Sequence, residues 1–237
     1  NEEKIGIIET YRMLFRCKSW VRNMFYVMCY GVSTCLLTSS ITYYCAYVLN
    51  NSSLSTPIMA AYLVASIVFS IITPRIDSLL GRKKTMGLAA LLQVIGKIPF
   101  ILAPASIINA FINAVFTGMG LTMTFVLFNT NRNSISDIVE VQNGRRLDSM
   151  VATGDTLVSK IAEAAVDKLF LVALAAAGFS AKLADEGLLQ NAATQNTINA
   201  LLGWIPALVG LLMFVVCIGI DTDKELKEAI AEKGAIR

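Results

Sequence analysis

Long apolar stretches, each about as long as a membrane-crossing helix, dominate the chain. Five of them carry at most one charged residue each: 20–48, 57–73, 85–104, 107–129 and 198–220. A further stretch, 150–179, has a similar length but includes several charged residues, and along the chain it is the fifth of six. About 20 apolar residues in a helix cross a hydrocarbon core roughly 30 Å thick. The sequence therefore predicts an all-α membrane protein with six transmembrane helices.

Composition supports this class and argues against several others. The chain is 55% hydrophobic and 16% charged, with a mean hydropathy of +0.62, whereas a soluble domain carries more charge. It has no histidine, and its five cysteines lack metal-ligand spacing. No nucleophile–base pair or phosphate-binding loop is recognisable. We therefore expect no enzyme, no resident metal or cofactor, and no nucleic-acid partner.

The basic residues predict how the chain is oriented in the membrane. They gather before the first stretch, between the second and third, between the fourth and fifth, and after the sixth. Under the positive-inside rule, both ends of the chain are then cytoplasmic. We expect the protein to lie in the plasma (inner) membrane. We divide the chain into an amphipathic linker (1–19), a six-helix unit (20–220) and a solvated cytoplasmic tail (221–237).

The charged residues of the fifth helix are the main candidates for function. Thr156, Lys160, Glu163 and Asp167 share a stripe about 60° wide at 100° per residue. A charge near the membrane midplane costs about 2.5–3.5 kcal/mol, so this stripe should face water or other charges. The alternative is a structural ion pair between Lys160 and Glu163 at i,i+3. Lys97, near the end of the third helix, is expected to snorkel to the interface.

Two charged loops are predicted at the cytoplasmic boundary. Between the second and third helices, Gly81 permits a tight turn, and charged groups there can pair across helix ends. The residues concerned are Asp77, Gly81, Arg82 and Lys83 in this loop, and Asp137, Glu140, Arg145, Arg146 and Asp148 before the fifth helix. They are candidates for a cytoplasmic gate. A solvated positive-inside loop is the alternative for each of them.

These motifs resemble a known transporter family. Asp137-Ile-Val-Glu140, the run from Asn143 to Arg146, and Lys160 are similar to the penultimate helix and preceding loop of the glycoside–pentoside–hexuronide:cation symporters. These melibiose permease-like proteins belong to the major facilitator superfamily. The loop is about three residues shorter than is usual there, with Val141 in place of Tyr and Asp148 in place of Glu. The loop from Asp77 to Lys83 resembles the Asp-x-x-Gly-Arg-(Arg/Lys) loop of that superfamily, with one extra residue.

The resemblance implies a fold and a set of site residues. The chain would be the carboxy-terminal six-helix half of a transporter, with a missing amino-terminal six-helix half as its partner. Lys160 would lie between the sugar and cation sites. Its neighbours in the site would be Asp155, Thr156, Phe128, Glu163 and Asp167. The coupling cation, Na⁺ or H⁺, would be bound mainly by the missing half, and the solute would be a sugar or a related polar molecule.

Two alternatives to cation-coupled sugar symport remain open at this stage. Phe128 stands where the melibiose permease has a Trp near the sugar, and it lacks the indole N–H. This difference leaves room for a lipid or another solute within the same superfamily. The second alternative is a six-helix membrane scaffold that transports nothing. The intramembrane charges favour transport, because a scaffold has no evident use for them.

Overall fold

A computed structural model describes residues 7–144, 146–185 and 187–235, and within these ranges it contains helices and no strand. Six long helical segments form the bundle. They are α2 (Lys18–Tyr47), α3 (Ser55–Leu80), α4 (Arg82–Leu102), α5 (Ile107–Asn143), α6 (Asp148–Ala176), and a last segment made of α8 (Ala192–Asn199), a π-helical turn (Ala200–Trp204) and α9 (Ile205–Ile218). Shorter elements are α1 (Ile7–Arg16), a 3₁₀ turn (Ser52–Leu54), α7 (Ala181–Asp185) and α10 (Thr222–Ala235).

Five of the long segments are apolar and long enough to cross a membrane: Lys18–Tyr47, Ser52–Leu80, Arg82–Leu102, Ile107–Asn143 and Ala192–Ile218. The sixth, α6, has 29 residues and packs along α2, but its charged residues keep it out of that set. The prediction of an all-α membrane protein is confirmed.

The helices pack through close backbone contacts at small residues. Helix α5 packs against both α3 and α4, α4 packs against α9, and α2 contacts α5, α6 and α9. At the α4–α5 crossing, a Cβ added to Gly120 would lie 2.6 Å from the carbonyl oxygen of Ala89. A side chain there would clash with the backbone of the other helix. Small residues allow such close packing between membrane helices, as is common in bundles of this kind.

The long helices alternate in direction, so particular turns and termini share one end of the bundle. We call this the basic end. It carries α1, the α3–α4 turn at Gly81, the α5–α6 connection at Gly144, and α10. Gly81 and Gly144 have φ values of +80° and +73°, in the left-handed region that favours glycine. Each ends a long helix, and the N–H of Gly144 donates to the carbonyl of Glu140 (2.8 Å).

Two helices are longer than the sequence predicted. Helix α3 continues through Pro74 to Leu80, where a loop was expected after residue 73. Proline is tolerated inside membrane helices because neighbouring groups bind the freed carbonyl. Helix α5 continues to Asn143 instead of ending near residue 129, so Asp137 and Glu140 lie on a helix and not in a loop.

The structure also corrects the expectation for Lys97. Its side chain is only 2% exposed, on the face of α4 that is turned into the bundle. Snorkelling to an interface would leave the ammonium group accessible. Among the described residues, no carboxylate oxygen lies within 4 Å of this lysine. Lys97 is therefore a buried lysine inside the bundle.

The tail helix α10 is exposed on one face, as expected of a solvated tail, but it is docked on the bundle by its other face. The carboxylate of Glu225 accepts a hydrogen bond from the backbone N–H of Ser19 (3.1 Å), in the first turn of α2. The Ser19 hydroxyl donates to the same carboxylate. Ala229 is buried, and Leu226 packs against a buried apolar cluster of α1, α2, α5 and α6 residues. Glu225 thereby supplies the acceptor that the free N–H groups at a helix start require.

Candidate functional site

The candidate site lies along the contact between α2 and α6. Gly31 of α2 faces Ser159 of α6, and a Cβ added to Gly31 would lie 3.1 Å from both the backbone oxygen and the hydroxyl of Ser159. The two backbones therefore approach closely at this level. Lys160 is the next residue of α6, and its side chain lies on the exposed side of that helix.

Lys160 and Glu163 form an ion pair on the open side of α6. The Lys160 Nζ is 2.6 Å from Glu163 Oε2, and the Lys160 side chain is 70% exposed. The other carboxylate oxygen of Glu163 accepts a hydrogen bond from the Ser159 hydroxyl (3.0 Å). The i,i+3 ion pair considered from the sequence is thus present. Because the Lys160 side chain stays exposed, its ammonium group can bind a further group while it is paired with Glu163.

Asp167 extends the same polar face by one helical turn. Its Oδ1 accepts hydrogen bonds from the Ser39 hydroxyl (2.9 Å) and from the Cys35 thiol (3.0 Å), both on α2. Thr156, at the other end of the stripe, is exposed, and its hydroxyl donates to the carbonyl of Ala152 (3.0 Å). The structure therefore places Thr156, Lys160, Glu163 and Asp167 on one helix, with α2 donors beside Asp167.

Aromatic rings from α2 and α5 pack together near this face. The ring centroids of Tyr30 and Phe128 are 5.3 Å apart, and those of Phe125 and Phe128 are 5.4 Å apart in an edge-to-face arrangement. Phe128 itself is buried, while Phe125 is half exposed. Beside them lies a cavity of about 200 Å³ lined by Tyr30, Tyr62, Ser66 and Phe125, among others. Phe125 and Tyr30 are thus the accessible rings, with Phe128 behind them.

Asp155 is separated from the stripe and lies in the bundle interior. Its side chain is 1% exposed, and its Oδ2 accepts from Arg132 Nε of α5 at 3.0 Å. The side-chain amide of Asn23, on α2, donates to the other carboxylate oxygen (3.4 Å). A buried carboxylate is stable when it is paired and hydrogen-bonded in this way. Asp155 therefore links three helices and does not face the side on which Lys160 lies.

The hydrogen bonds around Asp155 continue to the α3–α4 turn. Asn131 donates to the side-chain oxygen of Asn23 (3.4 Å) and accepts from Arg82 Nη1 (3.2 Å). Arg82 in turn forms an ion pair with Asp77, with an Nη2–Oδ2 distance of 2.8 Å. Asn23 and Asn131 are fully buried. One continuous chain of hydrogen bonds thus connects α3, α4, α5, α2 and α6 near the basic end.

The remaining predicted gate residues form an exposed cluster around Arg146. Its guanidinium lies 2.7 Å from Asp148, 3.2 Å from Asp137 and 3.7 Å from Glu140. The hydrogen bond to Asp148, with the charges of the other two carboxylates, raises the pKa of Arg146 above its usual value. Arg145 lies outside the described residues. Gly81 forms the α3–α4 turn, and Lys83 is exposed beside it, so the structure brings the gate candidates to one end.

The comparison with known families decides what kind of protein this is. A family model described as MFS/sugar transport protein matches residues 1–224, nearly the whole chain. The chain belongs to this family. It is a multi-pass membrane protein of the major facilitator superfamily (MFS), and the family indicates a transporter and not an enzyme. Comparison with curated proteins gives no match.

Several residues of this MFS protein that matter to the site were not identified from its sequence. They are Asn23, Tyr30, Cys35, Ser39, Phe125, Asn131 and Arg132. A usable signal existed for two of them, because Asn131 and Arg132 form part of a polar run after an apolar stretch. Within the described residues, no group of three or more His, Cys, Asp and Glu residues could hold a metal ion.

Proposed function

We propose that this MFS protein carries a sugar or a related polar solute by cation-coupled symport, driven by Na⁺ or H⁺. In this proposal the chain forms the carboxy-terminal half, and an amino-terminal half completes the translocation path. The observation that carries the proposal is the Lys160–Glu163 ion pair on the open side of α6. It lies midway along a helix that packs within a membrane bundle.

The depth of the pair is the first supporting argument. Lys160 follows the start of α6 at Asp148 by twelve positions, which is about 18 Å at 1.5 Å per residue. A charge at such depth is unfavourable against lipid and is usual where a helix faces a water-filled path. The exposed side of α6 therefore suits a cavity shared with the other half of a transporter.

The chemistry of the face is the second argument. Lys160 supplies donors, while Glu163 and Asp167 supply acceptors, which together match the hydroxyl groups of a sugar. The half-exposed Phe125 ring and the Tyr30 ring offer apolar surface for the faces of a sugar ring. Binding of Na⁺ or H⁺ near Glu163 would weaken its attraction for Lys160. The freed ammonium could then bind the solute, which would couple the two ligands.

The basic end completes the proposed mechanism. We place it in the cytoplasm of a plasma (inner) membrane protein, with both chain ends on that side. The Arg146 cluster and the Asp77–Arg82 pair would form ion pairs with the amino-terminal half while the transporter is open to the outside. They would break as the two halves rock against each other, as in alternating access.

The test is radiolabelled sugar uptake into proteoliposomes, using the full-length protein that contains this chain. Uptake is measured with imposed Na⁺ and pH gradients for the wild type, Lys160→Ala and Lys168→Ala. Lys168 is a matched control, because it is an exposed lysine on the same helix outside the stripe. We expect one gradient to drive uptake, and we expect Lys160→Ala alone to abolish it.

Two results would count against the proposal. Equal uptake by the wild type and Lys160→Ala would leave Lys160 with the ion-pair role only. If the folded wild type takes up no sugar under either gradient, the same vesicles can be assayed for transfer of a fluorescent lipid. Lipid transfer would then favour the lipid-carrying alternative, and its absence would favour a scaffold.

A further inference from the structure

A cavity of about 470 Å³ opens at the basic end, away from the α2–α6 site. It lies where α1, α2, α4 and α10 meet, and five cationic side chains line it. They are Arg16, Lys18, Arg22, Lys83 and Lys224. Four separate elements thus direct positive charge into one space, and three parts of the sequence contribute: the α1–α2 region, the start of α4, and α10.

The acidic residues that line the same cavity are already engaged. Asp221 accepts from the backbone N–H of Lys224 (3.2 Å), and Glu225 accepts from the backbone N–H of Ser19 (3.1 Å). Glu228 lies 3.6 Å from the ammonium of Lys224. Where side chains are described, no carboxylate oxygen lies within 4 Å of the other lining cations. Five lining cations against these three carboxylates leave two positive charges in excess, so the cavity favours an anion.

A second cavity, of about 210 Å³, continues this surface toward the α3–α4 turn. The two cavities share Lys83 and Asp221, and the second adds Lys84 and also Arg82, whose guanidinium is already paired with Asp77. The guanidinium of Arg22 donates to the carbonyl of Gly219, which fixes Arg22 against the end of the last helix. We call the two cavities together the basic groove.

Apolar side chains beside the groove indicate that it lies at the membrane boundary. Phe15 precedes Arg16 in the chain and is 66% exposed. Phe25, less than one helical turn after Arg22, is half exposed, and Leu79 and Leu80 are exposed beside the α3–α4 turn. Cations next to exposed aromatic and aliphatic side chains are typical of the level at which lipid headgroups lie.

We propose that the basic groove binds a phosphate group, as presented by the headgroup of an anionic phospholipid or by a soluble phosphate. Arginine and lysine side chains are the usual partners of phosphate oxygens. Basic pockets between membrane helices bind phosphate-bearing headgroups. The groove is separate from the solute site on α6, and we expect it to bind phosphate whichever solute that site carries.

The test compares two charge-matched double variants of the full-length protein in detergent. Arg16→Gln/Lys18→Gln removes two groove cations. Arg75→Gln/Lys227→Gln removes two exposed cations from the same end, outside the groove. The thermal unfolding midpoint of each is followed while phosphatidylglycerol, phosphatidylcholine or inorganic phosphate is titrated.

We expect phosphatidylglycerol to raise the midpoint of the wild type and of the control variant. For the groove variant the apparent affinity should fall roughly thirtyfold, because each cation near a phosphate contributes about a factor of five. The charge-conserving Arg16→Lys/Lys18→Arg variant should bind as the wild type does, which separates lost charge from a folding defect. Phosphatidylcholine, which is neutral overall, should produce a much smaller shift.

Inorganic phosphate distinguishes the source of the ligand. A shift with inorganic phosphate equal to that with phosphatidylglycerol, lost in the groove variant, would support the site and assign it to a soluble anion. A shift with phosphatidylglycerol alone would assign it to a lipid. Equal shifts in the groove and control variants, or no shift in the wild type with either ligand, would overturn the proposal.

Discussion

Asp155 and Lys160 lie five positions apart on α6, and their environments are opposite. Asp155 is 1% exposed and bonded to Arg132 and Asn23, at the start of a hydrogen-bond chain that reaches Asp77. Lys160 is 70% exposed and bonded to Glu163 on its own helix. Five positions turn a helix by about 140° at 100° per residue, which carries a side chain from one face to the other.

The contrast separates a structural charge from a functional candidate. Replacing one partner of a buried pair leaves a charge without solvent or partner, so the folded state is strongly destabilised. Replacing one partner of an exposed pair changes stability little, because water solvates the remaining charge. Burial, and not position within a charged helix, thus decides which charge on α6 is free to bind a ligand.

The largest effect is expected from Asp155→Asn. This substitution leaves Arg132 without its carboxylate partner, and we expect the free energy of unfolding to fall by about 3 kcal/mol. This value is at the lower end for broken buried pairs, because the Arg132 side chain is a quarter exposed and water can solvate part of its charge. Denaturant titration of the purified protein measures this loss, with Glu163→Gln as the control that should unfold as the wild type does. The double variant Asp155→Asn/Arg132→Gln should recover part of the stability. Equal losses for Asp155→Asn and Glu163→Gln would break the comparison.

A smaller effect is expected from Gly31→Val at the α2–α6 contact. The added Cβ would lie 3.1 Å from the backbone oxygen of Ser159, so the two helices must separate slightly. Overpacking of this kind costs about 1–3 kcal/mol. Ser39 and Cys35 of α2 donate hydrogen bonds to Asp167, so a shift of α2 would also disturb the proposed solute site. We therefore expect a large fall in sugar uptake together with a modest fall in the free energy of unfolding. Ala176→Val adds the two methyl groups of the same side chain at an exposed position near the end of α6 and should affect neither measurement.

The smallest effect, and one of opposite sign, is expected from Lys97→Met. Lys97 is buried, and no described carboxylate compensates its charge, so an apolar side chain of similar length should suit the position better. We expect the free energy of unfolding to rise by about 1 kcal/mol, the low end of the roughly 1–3 kcal/mol that burying a polar group without a partner costs. Lys182→Met, at an exposed lysine, is the matched control. Destabilisation by Lys97→Met would show that a partner outside the described residues holds this lysine.

The sequence was sufficient for the features that depend on local pattern. Apolar length predicted the long helices, Gly81 predicted a turn, and i,i+3 spacing allowed for the Lys160–Glu163 pair. Helix α5 was cut too short because its polar residues looked like a loop. In the structure some of those side chains bond to their own helix, as Asn129 does to the carbonyl of Phe125 (2.7 Å), and others, such as Asn131 and Arg132, bond to neighbouring helices.

Features that depend on how helices cross were not predictable in this way. Asp155 was placed beside Lys160 by the resemblance to the symporter family, and only the position of α5 brings Arg132 to it. Lys97 looked like a residue near a helix end, whereas α4 turns it into the bundle. The docking of α10 likewise depends on Glu225 meeting Ser19 at the far end of the sequence.

The charges of α6 also constrain how the protein enters the membrane during synthesis. A segment with this charge content would partition poorly into lipid by itself, and α6 is the long helical segment, among those described, whose charges set it apart from the apolar spans. Its carboxylates bond to Ser39, Cys35 and Arg132, which the ribosome produces earlier. We therefore expect α6 to move from the translocon into the bilayer only when α2 and α5 are already there to pack against it. A defect in either earlier helix would then be seen first as a failure of α6 to insert.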